Sequence, residues 1–236
     1  MDVFPTESPS DAWLALVATP IGNLEDITLR ALRFLREADI IAAEDTRRAR
    51  KLLTRFDIHS PLTAYHAHNE HQKTQWLLDQ VAGGQRVAVV ADAGTPAVAD
   101  PGFFLVRAAL ERGVEPTVIP GPSALTYAVV AAGLPVDRFV FLGFPPNKSG
   151  KRRRFVEALR AYDATVFLYE SPHRMTKLLV ALVDGLGAET QVAVVREATK
   201  LHEERIRGTA GQLAETYKDH RWRGELVVAV DARAGT

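Results

Sequence analysis

Along the first half of the chain, short apolar runs ending in small or polar residues alternate with stretches whose apolar positions recur every three or four residues. The runs at 14–18, 40–43, 87–91 and 116–119 read as buried strands. The stretches at 27–37, 46–56, 70–81 and 103–112 read as amphipathic helices. This alternation predicts parallel strands joined by crossover helices. A second series follows, with strands expected at 139–141, 165–168, 192–195, 204–207 and 226–230, the last two as an antiparallel pair. Proline and glycine at 133–135 and 143–150 interrupt any continuing helix or central strand, so the domain boundary is expected at 135/136. The expected organisation is α/β: a disordered N-terminal segment over 1–10, an N-terminal α/β domain over 11–135 and a C-terminal α/β domain over 136–236. A cleft between two such domains is the default ligand site.

Composition narrows the chemistry. An apolar fraction of 47% in 236 residues supports packed cores. Lysine plus arginine (29) equals aspartate plus glutamate (29), so affinity for a polyanion has to come from a local patch. The absence of cysteine removes disulfides, zinc–thiolate sites and thiol nucleophiles, and fits a reducing compartment. Neither a basic-then-apolar leader nor a bilayer-length apolar run is present, and a soluble cytoplasmic protein without membrane contact is expected.

Three strand ends run into turns of small residues. The first run leads into Thr19-Pro20-Ile21-Gly22-Asn23, at the carboxyl end of a strand, where ligands lie in open α/β sheets. The third leads into Asp92-Ala93-Gly94-Thr95-Pro96, where small side chains let a ligand approach the backbone and Asp92 and Thr95 offer oriented polar groups. Asp100 is placed to cap the helix that follows. The fourth leads into Pro120-Gly121-Pro122-Ser123-Ala124, with Ser123 before a new helix whose first N–H groups are unpaired.

One segment is strongly basic. Lys148, Lys151, Arg152, Arg153 and Arg154 crowd a hinge-like loop that could follow a phosphate backbone. It is not a phosphate loop, because the second glycine is missing and Pro145 and Pro146 remove needed N–H donors. His66, His68 and His71 suggest a metal site, but no third firm ligand accompanies 66 and 68; no metal is expected, and the segment reads as the approach to a helix.

Taken together, TPIGNLEDITLRAL from Thr19, AAEDTRRARKLL from Ala42, ADAGTPAVADPG from Ala91, IPGPSA from Ile119, FLYESPHR from Phe167 and REATKLHEE from Arg196 resemble the tetrapyrrole methylase superfamily, in order and spacing. The resemblance implies two small α/β domains with S-adenosylmethionine folded into the cleft between them, without the usual dinucleotide fingerprint, in a homodimer. Within the superfamily, the branch that these segments match methylates the ribose 2′-oxygen of a cytidine in 16S ribosomal RNA of the small ribosomal subunit. Alternatives are a methyltransferase acting on a tetrapyrrole, or an RNA-binding relative without catalysis.

Carried over motif by motif, the cofactor wall comprises Pro20, Asp92, Ala93, Gly94, Thr95, Val98, Ser123 and Ala124, with Tyr169, Ala198 and Gly224 from the second domain. The polar groups that the resemblance sets around the cleft include Glu44, Asp45, Arg47, Glu170, His173, Arg174, Glu197 and Lys200. A ribose hydroxyl is a poor nucleophile at neutral pH, so a proton acceptor is expected, in the order Glu170, Asp45, Lys200, the last as a neutral desolvated amine. Arg47, Arg174 and the basic segment are the expected phosphate contacts. Arg174 and Glu197 are equally suited to structural ion pairs.

Overall fold

The computed structural model describes residues 12–233, so the segment expected to be disordered over 1–10 lies outside the described residues. The chain divides into two compact units, one up to Ser123 and one from Ala124 onward.

The first unit alternates strand and helix: β1 (Trp13–Val17), α1 (Leu29–Glu37), β2 (Ile40–Ala43), α2 (Thr46–Arg55), β3 (Leu62–Ala64), α3 (Glu70–Ala82), β4 (Arg86–Val90), α4 (Phe103–Glu111) and β5 (Thr117–Ile119). All strand pairs are parallel, in the order β3-β2-β4-β1-β5. The strands are apolar at successive positions because both faces are covered. Ala15, Val17, Ala88 and Val90 face Ala31 and Leu35 of α1 and Ala49 and Leu53 of α2. Leu14, Val87 and Val89 face Leu77, Leu78 and Val81 of α3 and Leu105 and Ala109 of α4. Thus the two-residue period of a strand sorts each run between two helical layers. β3 has only three half-buried residues, too short a run to stand out in the sequence.

From adjacent strands the chain departs in opposite directions, β2 through α2 toward β3 and β4 through α4 toward β5, on opposite faces. The carboxyl ends of β2 and β4 therefore flank a topological switch point, where an open parallel sheet leaves a crevice. α4 begins at Phe103 with Gly102 (φ 143°) at its N-cap, so Asp100 is not the cap the sequence suggested. The turn before it is strained, with Ala97 and Ala99 in the left-handed region at φ 68° and 63°.

The second unit comprises α5 (Ala124–Ala131), β6 (Phe139–Phe141), α6 (Ser149–Ala158), β7 (Thr165–Glu170), α7 (Met175–Leu186), β8 (Gln191–Arg196), β9 (Glu204–Thr209), α8 (Ala210–Thr216) and β10 (Leu226–Asp231). Its sheet order is β6-β7-β10-β8-β9, with only β6 and β7 parallel. β9 and β10 do not pair with each other, contrary to expectation; each lies antiparallel to β8, on opposite sides of it. The Val192, Val194, Val228 and Val230 side chains pack under α6, α7 and α8.

α5 covers the other face of this sheet, with Ala128 and Ala132 against Phe167, Ala193, Val195 and Val227. That burial draws 124–135 into the second unit, so the division falls before α5 and not at 135/136. Arg207 of β9 secures the helix end through the Ala131 carbonyl and, at 2.8 Å, the Ala132 carbonyl.

The basic segment is also not a loop, since 149–158 is helical. Arg152 turns inward, 4% exposed, and donates to the Pro146 and Asn147 carbonyls at 3.2 and 3.0 Å. These bonds lock the helix start to the preceding Pro-Pro turn while Val156 enters the core. No helix among the described residues is long and apolar enough to cross a membrane.

Candidate functional site at the carboxyl edges of two sheets

In the first unit the three small-residue turns meet. Thr19 and Gly94 exchange backbone hydrogen bonds of 2.9 and 3.0 Å, and the Ala18 N–H donates to the Ile119 carbonyl at 3.1 Å. Gly94 adopts φ 75°, and a Cβ there would stand 3.4 Å from Ile21 Cγ2 and 3.7 Å from the Pro122 carbonyl. Only glycine takes up this conformation without strain. Pro20, the 92–95 turn with Ala93 and Thr95, and Ser123 are thereby gathered on one edge, and Val98 is tied to the same turn by its N–H to the Thr95 carbonyl at 3.3 Å. The Thr19 hydroxyl is buried there without a hydrogen-bond partner. A cavity of about 220 Å³ opens beside it, lined by Thr19, Pro20, Arg48, Lys51, Leu52 and Asp92 among others.

Carboxylates cluster at the switch point. Asp92 accepts the Asp45 N–H at 2.9 Å and pairs with Arg48 at 3.1 Å, linking the ends of β4 and β2. Asp45 caps α2 by accepting the Arg47 N–H at 2.8 Å, and the Arg47 guanidinium grips both its oxygens at 3.1 and 2.9 Å. That grip holds the Asp45 carboxyl far below the usual carboxylate range, which makes it a weak base. Glu44 goes the other way. Burial and the neighbouring Asp92 charge raise its pKa, outweighing the Asp92 backbone amide, Arg48 and His66. The sequence displayed Glu44 within AEDTR but held no sign that it would differ from Asp45, because desolvation is a property of the folded edge.

In the second unit, register builds a comparable edge. Leu226 stands opposite Glu170 on β7 and Arg196 on β8, so Tyr169, Ala198 and Gly224 all lie at this end of the sheet. Tyr169 packs edge-on against Phe141 and Phe144, at ring distances of 4.8 and 5.6 Å. The Glu170 side chain is 0% exposed. Its Oε1 accepts the Ser171 N–H at 2.7 Å and Arg174 Nε at 2.8 Å, while Oε2 is buried with no partner.

Glu197, at φ 52°, folds back so that its Oε1 accepts the Glu225 N–H at 2.9 Å and Lys200 Nζ at 2.8 Å. Lys200 also reaches Glu225 at 3.0 Å. Burial pulls the Lys200 pKa down, but the two carboxylates outweigh it and the net shift is upward. The lysine therefore stays charged, and the expectation of a neutral amine is corrected. The structure thus pairs Arg174 with Glu170 and Glu197 with Lys200, and all three expected proton acceptors are held in ion pairs.

The expected phosphate contacts also separate. Arg152 is buried, which removes it from any exposed track, and Arg153 pairs with Glu157 at 2.8 Å. Lys148, just before α6, and Lys151 and Arg154 on it remain exposed. His66 and His68 meet edge-on at 5.9 Å before α3, and no group of three or more metal-ligating side chains occurs among the described residues.

The family profile Tetrapyrrole (Corrin/Porphyrin) Methylases matches residues 14–214. A protein of Mesorhizobium japonicum named ribosomal RNA small subunit methyltransferase I is 49% identical over 223 residues, covering 94% of this chain and 76% of that one. Among solved structures, a diphthine synthase superposes with a TM-score of 0.74 at 18% identity, covering 93% of this chain and 90% of that one. Uroporphyrin-III C-methyltransferase from Thermus thermophilus, solved with S-adenosyl homocysteine, superposes with a TM-score of 0.64 at 20% identity, covering 93% and 98%. Those two likenesses speak for the fold alone. With the profile matched across both sheets and the motif-bearing turns collected at their edges, this chain belongs to the tetrapyrrole methylase family.

Proposed function

We propose that this chain transfers a methyl group from S-adenosylmethionine to the ribose 2′-oxygen of a cytidine in 16S ribosomal RNA. The observation that carries this reading is the 49% identity, over 94% of the chain, to a protein named ribosomal RNA small subunit methyltransferase I. The T. thermophilus relative solved with S-adenosyl homocysteine supports the choice of methyl donor. The first-unit turns fit such a donor, because Gly94 leaves its backbone open to close approach and the Thr19 hydroxyl is a buried polar group in want of a partner. In this reading the donor contacts are Pro20, Asp92, Ala93, Gly94, Thr95, Val98, Ser123, Ala124, Tyr169, Ala198 and Gly224. The protein acts in the cytoplasm as a homodimer on the small ribosomal subunit.

The donor supplies a methyl group on a positively charged sulfur that leaves neutral, so orientation dominates and accounts for about 7–11 kcal/mol of the barrier. The chain's own task is to align the 2′-oxygen and accept its proton. Glu44 suits the second role, since its raised proton affinity makes it a better base than Asp45, and Glu170 and Lys200 are committed to their ion pairs. Glu170, Asp45 and Lys200 are then positioning residues, for Arg174, α2 and the 197–203 turn respectively.

Tritium from methyl-labelled S-adenosylmethionine is expected in purified small subunits, and in 2′-O-methylcytidine after digestion to nucleosides. Label on a base, or no label, would overturn the reading. Glu44→Gln is expected to lower kcat by roughly 10²–10⁴-fold. The wild-type rate should rise with pH as Glu44 loses its proton, above the usual glutamate range, and the variant should lose that limb. Gly94→Val is expected to abolish donor binding by titration calorimetry on protein whose circular dichroism is unchanged. Retained affinity would place the donor elsewhere.

A further inference from the structure

The solvent face of α2 carries an arrangement that neither packing nor cofactor binding explains. Its ten residues, TRRARKLLTR, hold five cations and no acid. Ala49 and Leu53 are buried, and Arg47, Lys51 and Arg55, four residues apart, form a row on the opposite side with Arg48 and Arg50 beside it. Like charges at that spacing destabilise a helix. Elsewhere the chain relieves the problem with an acid four residues on, as in Arg107–Glu111 at 2.9 Å and Arg153–Glu157 at 2.8 Å. In α2 only the first turn finds acids, Arg47 with Asp45 and Arg48 with Asp92, while Arg50, Lys51 and Arg55 form no ion pair among the described residues.

α1 lies on the same face of the sheet and extends the charge. It adds Arg30, Arg33 and Arg36, and Arg36 reaches the Phe56 carbonyl at the end of α2 at 3.4 Å. The row starts at the switch point, where Arg48 and Lys51 line the 220 Å³ cavity with the unpartnered Thr19 hydroxyl. In a chain of zero net charge, this is a local field with direction, leading to the edge that carries Glu44.

We propose that the face of α2 is the track along which the phosphodiester backbone of the RNA substrate runs to the β2/β4 edge, an inference that rests on the RNA reading above. From Arg47 to Arg55 the row spans about 12 Å, enough to follow several phosphodiesters of one strand. Guanidinium groups pair with phosphate oxygens in two-point geometry, and unpaired cations four residues apart are a destabilising local choice that a polyanion reverses. The basic run of α6 is the weaker track, with Arg152 buried and Arg153 already paired.

The test compares wild type with Arg50→Gln/Arg55→Gln, neither of which lines the 220 Å³ cavity or belongs to the proposed donor contacts. The probes are protein-free small-subunit ribosomal RNA and purified small subunits, with donor affinity measured in parallel. The double variant is expected to bind RNA about fivefold or more weakly at 0.1 M salt, and to lose about 1.4 from the slope of log K against log salt, with donor affinity kept. It should also melt at the same temperature or higher, because the like-charge repulsion is gone. A variant with wild-type RNA affinity and salt slope overturns the α2 track while leaving the RNA reading intact. Wild-type protein that neither binds nor methylates either probe overturns the RNA reading itself. Should the double variant misfold, the single change Arg55→Glu carries the same expectation.

Discussion

Arg174→Ala is expected to cost about 3–5 kcal/mol of stability, the typical loss when one partner of a buried ion pair is removed. The magnitude follows from the asymmetry of the pair. Glu170 is fully enclosed, whereas Arg174 is 26% exposed and can be solvated on one side. Without the guanidinium, the Glu170 carboxylate keeps only the Ser171 N–H, and its second oxygen already lacks a partner. Adding Glu170→Gln to Arg174→Ala should recover most of the loss, since a neutral amide is far less costly to bury than an unpaired charge. Urea unfolding of the two variants checks both statements. A single-variant loss below about 1 kcal/mol would mean that the pair does not hold the end of β7 in place.

Gly224→Ala is expected to destabilise by about 2–4 kcal/mol, through two effects that act together. At φ 79° an alanine is strained whatever surrounds it, and its Cβ would lie 2.4 Å from Glu197 Cδ. To make room, Glu197 has to release the Glu225 N–H and Lys200 together. Restoring a smaller neighbour should separate the effects: Glu197→Ala in the Gly224→Ala background removes the clash and leaves the backbone strain. If Gly224→Ala unfolds at the wild-type urea midpoint, the 197–200 turn is not seated against this glycine.

The pH dependence expected of this cluster follows from the same contacts. Burial alone would raise the Glu197 pKa, but Lys200, the Glu225 amide and Arg196 reverse it, so the folded value lies below the unfolded one. Such a carboxylate stabilises above its unfolded pKa, and the contribution is lost as pH falls through the folded value. The Lys200 pKa is raised, so its contribution is present at neutral pH and lost only at alkaline pH.

Much of the fold was legible in the order of residues. Parallel strands alternating with crossover helices leave a mark in sequence because a strand covered on both faces must be apolar throughout, and a helix covered on one side must repeat every three or four positions. The small-residue turns at 92–95 and 120–124 were legible for a related reason, since close backbone approach excludes large side chains. β3 was not legible, at three half-buried residues, and neither was the pairing of β9 and β10 with β8. Strand order is a choice among several possible partners, and it is settled by the layer of helices that each arrangement leaves covered.

The chemistry divides along the same line. Residue types and motif order by themselves determined the family, the two edges and the cluster of acids and bases upon them. Only the tertiary structure decided which groups remain available: it turned Arg152 inward, spent Asp45 on Arg47, Glu170 on Arg174 and Lys200 on two carboxylates, and left Glu44 with a raised proton affinity. The reason is that a charge is set by its neighbours in space: partners close in sequence, such as Asp45 and Arg47, meet only in the backbone conformation that the fold imposes, and desolvation depends on packing between distant segments.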